Sequence, residues 1–204
     1  MATLIDSVHK LMKSQHIPSL MLAVVTKDTT LFVDGLGTAN LDTQQPVTKH
    51  TLFPMASITK TFTALAIMRL IEQGKLSLNT ELKAIALEVP FTNTWENKHP
   101  IKLVHLLEHT TGFDDVHFNA LFNTEGPISE YKAVLRYKKS MHCRWYPGER
   151  MAYCNTDYVI LGYLIEKLSG KTYEAFLERV GKFYIVEYQL VTQKLSTSLS
   201  LRFA

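Results

Sequence analysis

The segment Ser57 to Gln73 carries apolar side chains on almost every side of a helical projection, through Ile58, Phe62, Leu65, Ala66, Met68, Leu70 and Ile71, and Gly74 follows as a stop. A helix with so little polar surface has to be wrapped by other elements of the fold. It is not a membrane span, because the longest apolar run, Thr63 to Ile71, is interrupted by Arg69 and falls short of the roughly 18 residues required. There is material for the wrapping: 46% of the 204 residues are hydrophobic. That content excludes disorder, collagen and coiled coil. With 22 Lys+Arg against 19 Asp+Glu, the net charge of +3 is too weak to mark a nucleic-acid or membrane-surface binder. A soluble globular chain with no nucleic-acid partner is expected.

Around that helix the pattern predicts an α+β order. Leu4, Ile5, Val8, Leu11 and Met12 recur at helical spacing up to Pro18. Two β-rich runs, Leu20 to Thr26 and Thr30 to Leu36, flank Lys27-Asp28-Thr29 and suit a hairpin, and Gly37 to Pro54 reads as loop. Short helices are expected at Ile101 to His109, Ser129 to Lys139, Asp157 to Leu168 with Gly170 as stop, and Thr172 to Arg179. After Gly181 the texture, with Phe183 to Thr192, becomes β-like. Cys143 and Cys154 lack a C-x-x-C spacing and are expected to be free thiols. Asp6 and Lys10 stand where a secretory signal would be apolar, which points to a cytoplasmic chain, or a periplasmic or secreted one already trimmed.

Ser-x-x-Lys occurs three times, at Ser7/Lys10, Ser57/Lys60 and Ser129/Lys132, so context must choose among them. Ser7 lies mid-face on a surface helix, and Ser129 reads as an N-cap. Ser57 instead opens the buried helix, where amides and the dipole favour developing negative charge. Lys60 returns to the same face one turn later, placed to share a proton with the hydroxyl. A second element, Pro147-Gly-Glu-Arg-Met-Ala-Tyr153-Cys-Asn155, holds the only Tyr-x-Asn of the chain, and alternate residues of an extended segment face one way. A phenol so placed is a candidate general base, and an amide can hold a substrate carbonyl or N–H. A third stretch, Leu106-Leu-Glu-His-Thr-Thr-Gly112, is a helix end with a glycine stop.

Together with Phe53-Pro-Met-Ala before Ser57, these segments resemble the serine β-lactamase and penicillin-binding-protein superfamily, in particular its class C β-lactamase-like branch of β-lactamases, DD-peptidases and esterases. Ile17-Pro18, Gly35-Leu-Gly37 and Leu161-Gly-Tyr-Leu-Ile-Glu166 add to the likeness, which covers roughly residues 1–180. The resemblance implies a β-lactamase/DD-peptidase-like α+β fold without cofactor or metal. It makes Ser57 the acyl-accepting nucleophile, Lys60 its proton partner, Tyr153 the base for acyl transfer and for attack by water, and Asn155 a ligand for the substrate amide. The implied substrate is a small molecule: a β-lactam, a peptide amide or an ester. Tyr-x-Asn in place of Ser-Asp-Asn points away from the class A enzymes.

The family's third motif, Lys-Ser/Thr-Gly on a late strand, finds no match after Asn155; Gly170-Lys171-Thr172 has the wrong order. The chain therefore reads as a truncated member whose residues 181–204 form a divergent tail, whose activity is impaired, and whose hairpin edge pairs with that tail or with a second copy. The alternative is an inactive relative serving as a binding or assembly module. Other chemistries fare worse. His105-Leu-Leu-Glu108-His109 matches the inverted zinc-protease pattern H-x-x-E-H, but the same residues are accounted for as the helix leading into Thr-Thr-Gly. Gly170-Lys-Thr is half a phosphate loop without its first glycine, and no G-x-S-x-G surrounds Ser57.

Overall fold

The computed structural model describes residues 2–116 and 128–184. It is an α+β protein that divides into two compact units, Met1–Pro54 and Met55–Ala204.

The first unit holds helix α1 (Ala2–Ser14) and an antiparallel sheet of three strands, β1 (Ser19–Val25), β2 (Thr30–Asn40) and β3 (Gln45–Pro46), in that order. The predicted hairpin is present with Leu22 opposite Asp34 and Val24 opposite Phe32. Its turn closes through Thr26, whose amide donates to Thr29 O at 2.8 Å and whose hydroxyl accepts from Thr29 N at 3.1 Å. The expected loop from Gly37 to Pro54 is corrected in part: β2 runs on to Asn40, and Gln45–Pro46 returns against it. The reversal is made by residues 41–44, where Asn40 Oδ1 accepts from Asp42 N and Thr43 N, and Gly37, earlier in β2, lets the strand pass close to Pro18. With φ +83 and a Cβ position 2.3 Å from Pro18 O, it admits no side chain. On α1, Met12 is buried and Ile5 and Val8 are half-buried, whereas Leu4 and Leu11 of the predicted face lie in solvent.

The second unit is helical. A 3-10 turn at Ala56–Ile58 leads into α2 (Thr59–Glu72), followed by α3 (Leu82–Ile85), α4 (Leu103–Leu107), α5 (Glu130–Arg136) with a 3-10 turn at Lys138–Ser140, α6 (Asn155–Ser169) and α7 (Tyr173–Tyr184). α2 and α6 form its centre. Ala66, Ile67 and Leu70 of α2 and Ile160, Leu161, Leu164 and Ile165 of α6 are sealed from water in one core with Leu106, Val134 and Phe176. Each such side chain contributes about 1.5–3 kcal/mol, which is why the apolar pattern of α2 decides the fold. Its wrapping is incomplete at Met68, which is 41% exposed. Gly170 ends α6 in the left-handed conformation, its amide donating to Glu166 O at 2.9 Å.

The β-like reading of the tail is corrected at its start, because Phe183 and Tyr184 continue α7. Helix propensity propagates from Thr172 without a breaker, Gly181 being tolerated at about 1 kcal/mol. The remainder of the predicted strand, residues 185–192, and the Ser196–Ser200 run lie outside the described residues. The short α3 carries no periodic signal and is absent from the sequence reading. Cys143 and Cys154 are free, and burial pushes both thiols up to about 12. No helix among the described residues is long and apolar enough to cross a membrane.

Candidate active site

Ser57 sits in the 3-10 turn before α2, preceded by Ala56 at φ 44. A non-glycine residue held there costs about 1–2 kcal/mol, and the turn so formed lifts the Ser57 side chain into solvent, where it is exposed. Lys60, one turn on, is 8% exposed. Its Nζ donates to Ser57 Oγ at 3.3 Å and to Asn155 Oδ1 at 2.8 Å. The Tyr153 phenol lies 2.7 Å from Ser57 Oγ. Four residues named from the sequence, Ser57, Lys60, Tyr153 and Asn155, thus form one connected group, although Lys60 and Asn155 are 95 positions apart in the chain. Lys60 Nζ also lies over two phenol rings, 5.0 Å from the centroid of Tyr153 and 5.5 Å from that of Tyr158.

The other two Ser-x-x-Lys pairs are structural. Ser7 Oγ donates back to Thr3 O at 2.8 Å within α1, and Ser129 caps α5, accepting from Lys132 N at 3.4 Å.

The Leu106–Gly112 segment supplies the support. His109, at φ 58, leaves the helix, and its carbonyl accepts from Ala152 N at 2.9 Å while its Nδ1 accepts from Cys154 N at 3.2 Å. Its ring stacks on Tyr153 at 4.6 Å and on Tyr158 at 5.1 Å. Behind it Asp157, fully buried, accepts from Thr111 Oγ1 at 2.7 Å and stands 3.3 Å from His109 Nδ1. Burial pushes the Asp157 carboxyl up to about 6, against the pull of the Thr111 hydroxyl. Gly112, at φ +79, lets this loop pass Trp145, whose carbonyl would be 2.7 Å from a Cβ.

The inverted zinc pattern does not share a helical face. α4 stops at Leu107, so Glu108 and His109 lie beyond it, and His105 Nδ1 is occupied by the amide of Lys102 at 3.1 Å. No group of three or more metal-ligating residues occurs among the described residues.

Sequence reasoning left three contributors without a role: His109, Asp157 and Asp115. His109 lay inside a quoted motif, and Asp157 follows Asn155 by two positions, one turn being enough to bring it behind the site. Asp115 had no signal, since only the fold brings it to Asn155, whose backbone and side-chain N–H groups it accepts at 2.7 and 3.2 Å.

The Beta-lactamase family model matches residues 4–180. A β-lactamase of Yersinia enterocolitica is 27% identical over 168 residues, which are 82% of this chain and 40% of that protein. The octameric penicillin-binding protein homologue from Pyrococcus abyssi superposes with a TM-score of 0.75 at 28% identity, covering 87% of this chain and 41% of that one. A penicillin-binding protein from Bacillus halodurans gives a TM-score of 0.66 at 31% identity, over 84% of this chain and 51% of that one. This chain spans less than half the length of the first two.

Proposed function

This chain belongs to the Beta-lactamase family, and on that premise we propose that it is a serine hydrolase acting through an acyl-serine intermediate on a β-lactam, a peptide amide or an ester. The observation that carries the reading is the contact of Ser57 Oγ with both the Tyr153 phenol at 2.7 Å and Lys60 Nζ at 3.3 Å. Ser57 Oγ attacks the carbonyl carbon and gives its proton to the Tyr153 oxygen, Tyr153 acting in this step as its phenolate. Lys60, held by Asn155, offsets the charge that develops between them. The bond to the leaving group then breaks, the Tyr153 proton passes to that group, and the acyl chain remains on Ser57. In the second half, Tyr153 takes a proton from water as the water oxygen attacks the acyl carbon, and Ser57 recovers its hydrogen. The Ser57 backbone N–H supplies one oxyanion donor.

No Lys-Ser/Thr-Gly triplet follows Asn155 in the 204 residues. In the family it resembles, the strand carrying that triplet gives the second oxyanion donor; loss of one donor costs about 10²–10³ in rate, so we expect slow turnover by these 204 residues taken alone. The same feature favours a second reading, an inactive relative that binds or assembles without chemistry. Hydrolysis of a chromogenic ester and a chromogenic β-lactam separates the two: measurable turnover that disappears in Ser57→Ala supports the enzyme, and equal rates in both proteins place the chemistry elsewhere. Self-association through β1, which stands at one edge of the described sheet, belongs to the same proposal, since the Pyrococcus abyssi homologue is octameric. Sedimentation of the chain tests it, a monomer at all concentrations refuting it.

A further inference from the structure

Asn155 opens α6, and Cys154 at the N-cap makes no side-chain hydrogen bond to the helix. The first amides of a helix have no partner within it. That of Asn155 is satisfied from a loop 40 residues away, by Asp115 Oδ1 at 2.7 Å, and the second oxygen, Asp115 Oδ2, accepts from Asn155 Nδ2 at 3.2 Å. The carboxylate is itself held, because Val116 N donates to Oδ1 at 2.7 Å and Asp115 N is bound to Asp114 Oδ1 at 3.0 Å. Asp114 in turn lies 3.5 Å from the Arg144 guanidinium.

An ionised carboxylate only accepts and an ammonium only donates. The Asn155 amide stands between one of each. Its NH2 must face Asp115, and its oxygen must face Lys60 Nζ, 2.8 Å away. The orientation of an amide is ordinarily a matter of inference from partners, and here both partners give the same answer.

We propose that Asp115 is a positioning residue of the site: by fixing the Asn155 amide it makes Oδ1 the acceptor that holds Lys60 beside Ser57, and leaves the second Nδ2 proton for a ligand carbonyl. Its effect on rate rests on the acyl-serine reading; the amide orientation does not. A cap of α6 and nothing more would be served equally by Asn, since Asp and Asn cap helices equally well.

The test compares covalent labelling by a fluorescent penicillin, and thermal midpoint, for the wild-type chain, Asp115→Asn, and the exchange Asp115→Asn with Asn155→Asp. In Asp115→Asn the side chain at 115 can still accept the Asn155 backbone N–H, but its own NH2 turns Asn155 Oδ1 away from Lys60. Labelling should slow by about tenfold or more at a nearly unchanged midpoint. The exchange returns an acceptor to Lys60 and a donor to its partner but removes the Nδ2 proton offered to the ligand, so labelling should recover only part of that loss. Wild-type rates in Asp115→Asn, or an exchange no faster than Asp115→Asn, would overturn the proposal. If the wild-type chain takes no label, its action on β-lactams falls, and a neutron structure decides the orientation: deuterium on the Asn155 atom facing Asp115 upholds it, and nitrogen facing Lys60 overturns it.

Discussion

The amides on either side of Tyr153 both donate to His109, that of Ala152 to its carbonyl at 2.9 Å and that of Cys154 to its Nδ1 at 3.2 Å, while the imidazole stacks on the phenol between them. One residue therefore fixes the chain path and the ring plane of Tyr153 together. His109→Ala removes the acceptor of a buried N–H and the ring contact with the phenol, while the positive φ of 58 is unchanged in kind. A loss of about 1–3 kcal/mol is expected, read from urea unfolding, together with slower labelling of Ser57.

Asp157 makes stability depend on pH. Its carboxyl is raised from 3.8 to about 6, first by burial. A raised value means that the folded chain keeps a proton the unfolded chain has lost, so the contribution is full below about pH 4 and disappears as pH rises through 6. Asp157→Asn keeps an acceptor for Thr111 and removes the desolvated charge. Its melting temperature should change less between those limits than that of the wild type, and an identical slope would refute the assignment.

Glu130, on α5, offers a separate handle. Burial, then Glu166 and Glu174, push it up to about 7, and its Oε2 packs against Gly162 of α6. By the same sign, its charged form weakens the fold as pH rises from 4.5 to about 7. Glu130→Gln should melt higher than wild type at about pH 8 and equally at about pH 4.

How far the sequence shows these features depends on how local their causes are. Ser57 and Lys60 are three residues apart on one helical start, and Tyr153 and Asn155 stand on either side of the extended Cys154 that leads into α6, so each pair is legible from spacing. Their meeting is not, and rests on the family resemblance. The core of α2 and α6 follows from apolar periodicity and the Gly74 and Gly170 stops. Asp115 and His109 escape because their partners are 40 and 45 residues distant, and no periodicity encodes such pairs. The continuation of α7 through Phe183 and Tyr184 shows a helix already begun at Tyr173 running on into a β-rich composition.

Gly112 is the point at which the supporting loop is least tolerant. Alanine there meets both φ +79 and the Trp145 carbonyl at 2.7 Å. Gly112→Ala should cost about 2 kcal/mol or more, seen as a lower melting temperature, whereas Gly74→Ala, with nothing within 4 Å of its Cβ, should cost only the backbone strain.

The central claim is that Ser57 accepts an acyl group with Lys60 and Tyr153 acting on the same oxygen. Incubation with penicillin, followed by intact mass and peptide mapping, tests it most directly. The account predicts one adduct of the mass of the opened β-lactam, carried by the peptide containing Ser57, absent in Ser57→Ala and formed far more slowly in Lys60→Ala and Tyr153→Phe, the double variant being little worse than either single one. An adduct on another residue, or one that forms equally well in Ser57→Ala, would contradict it.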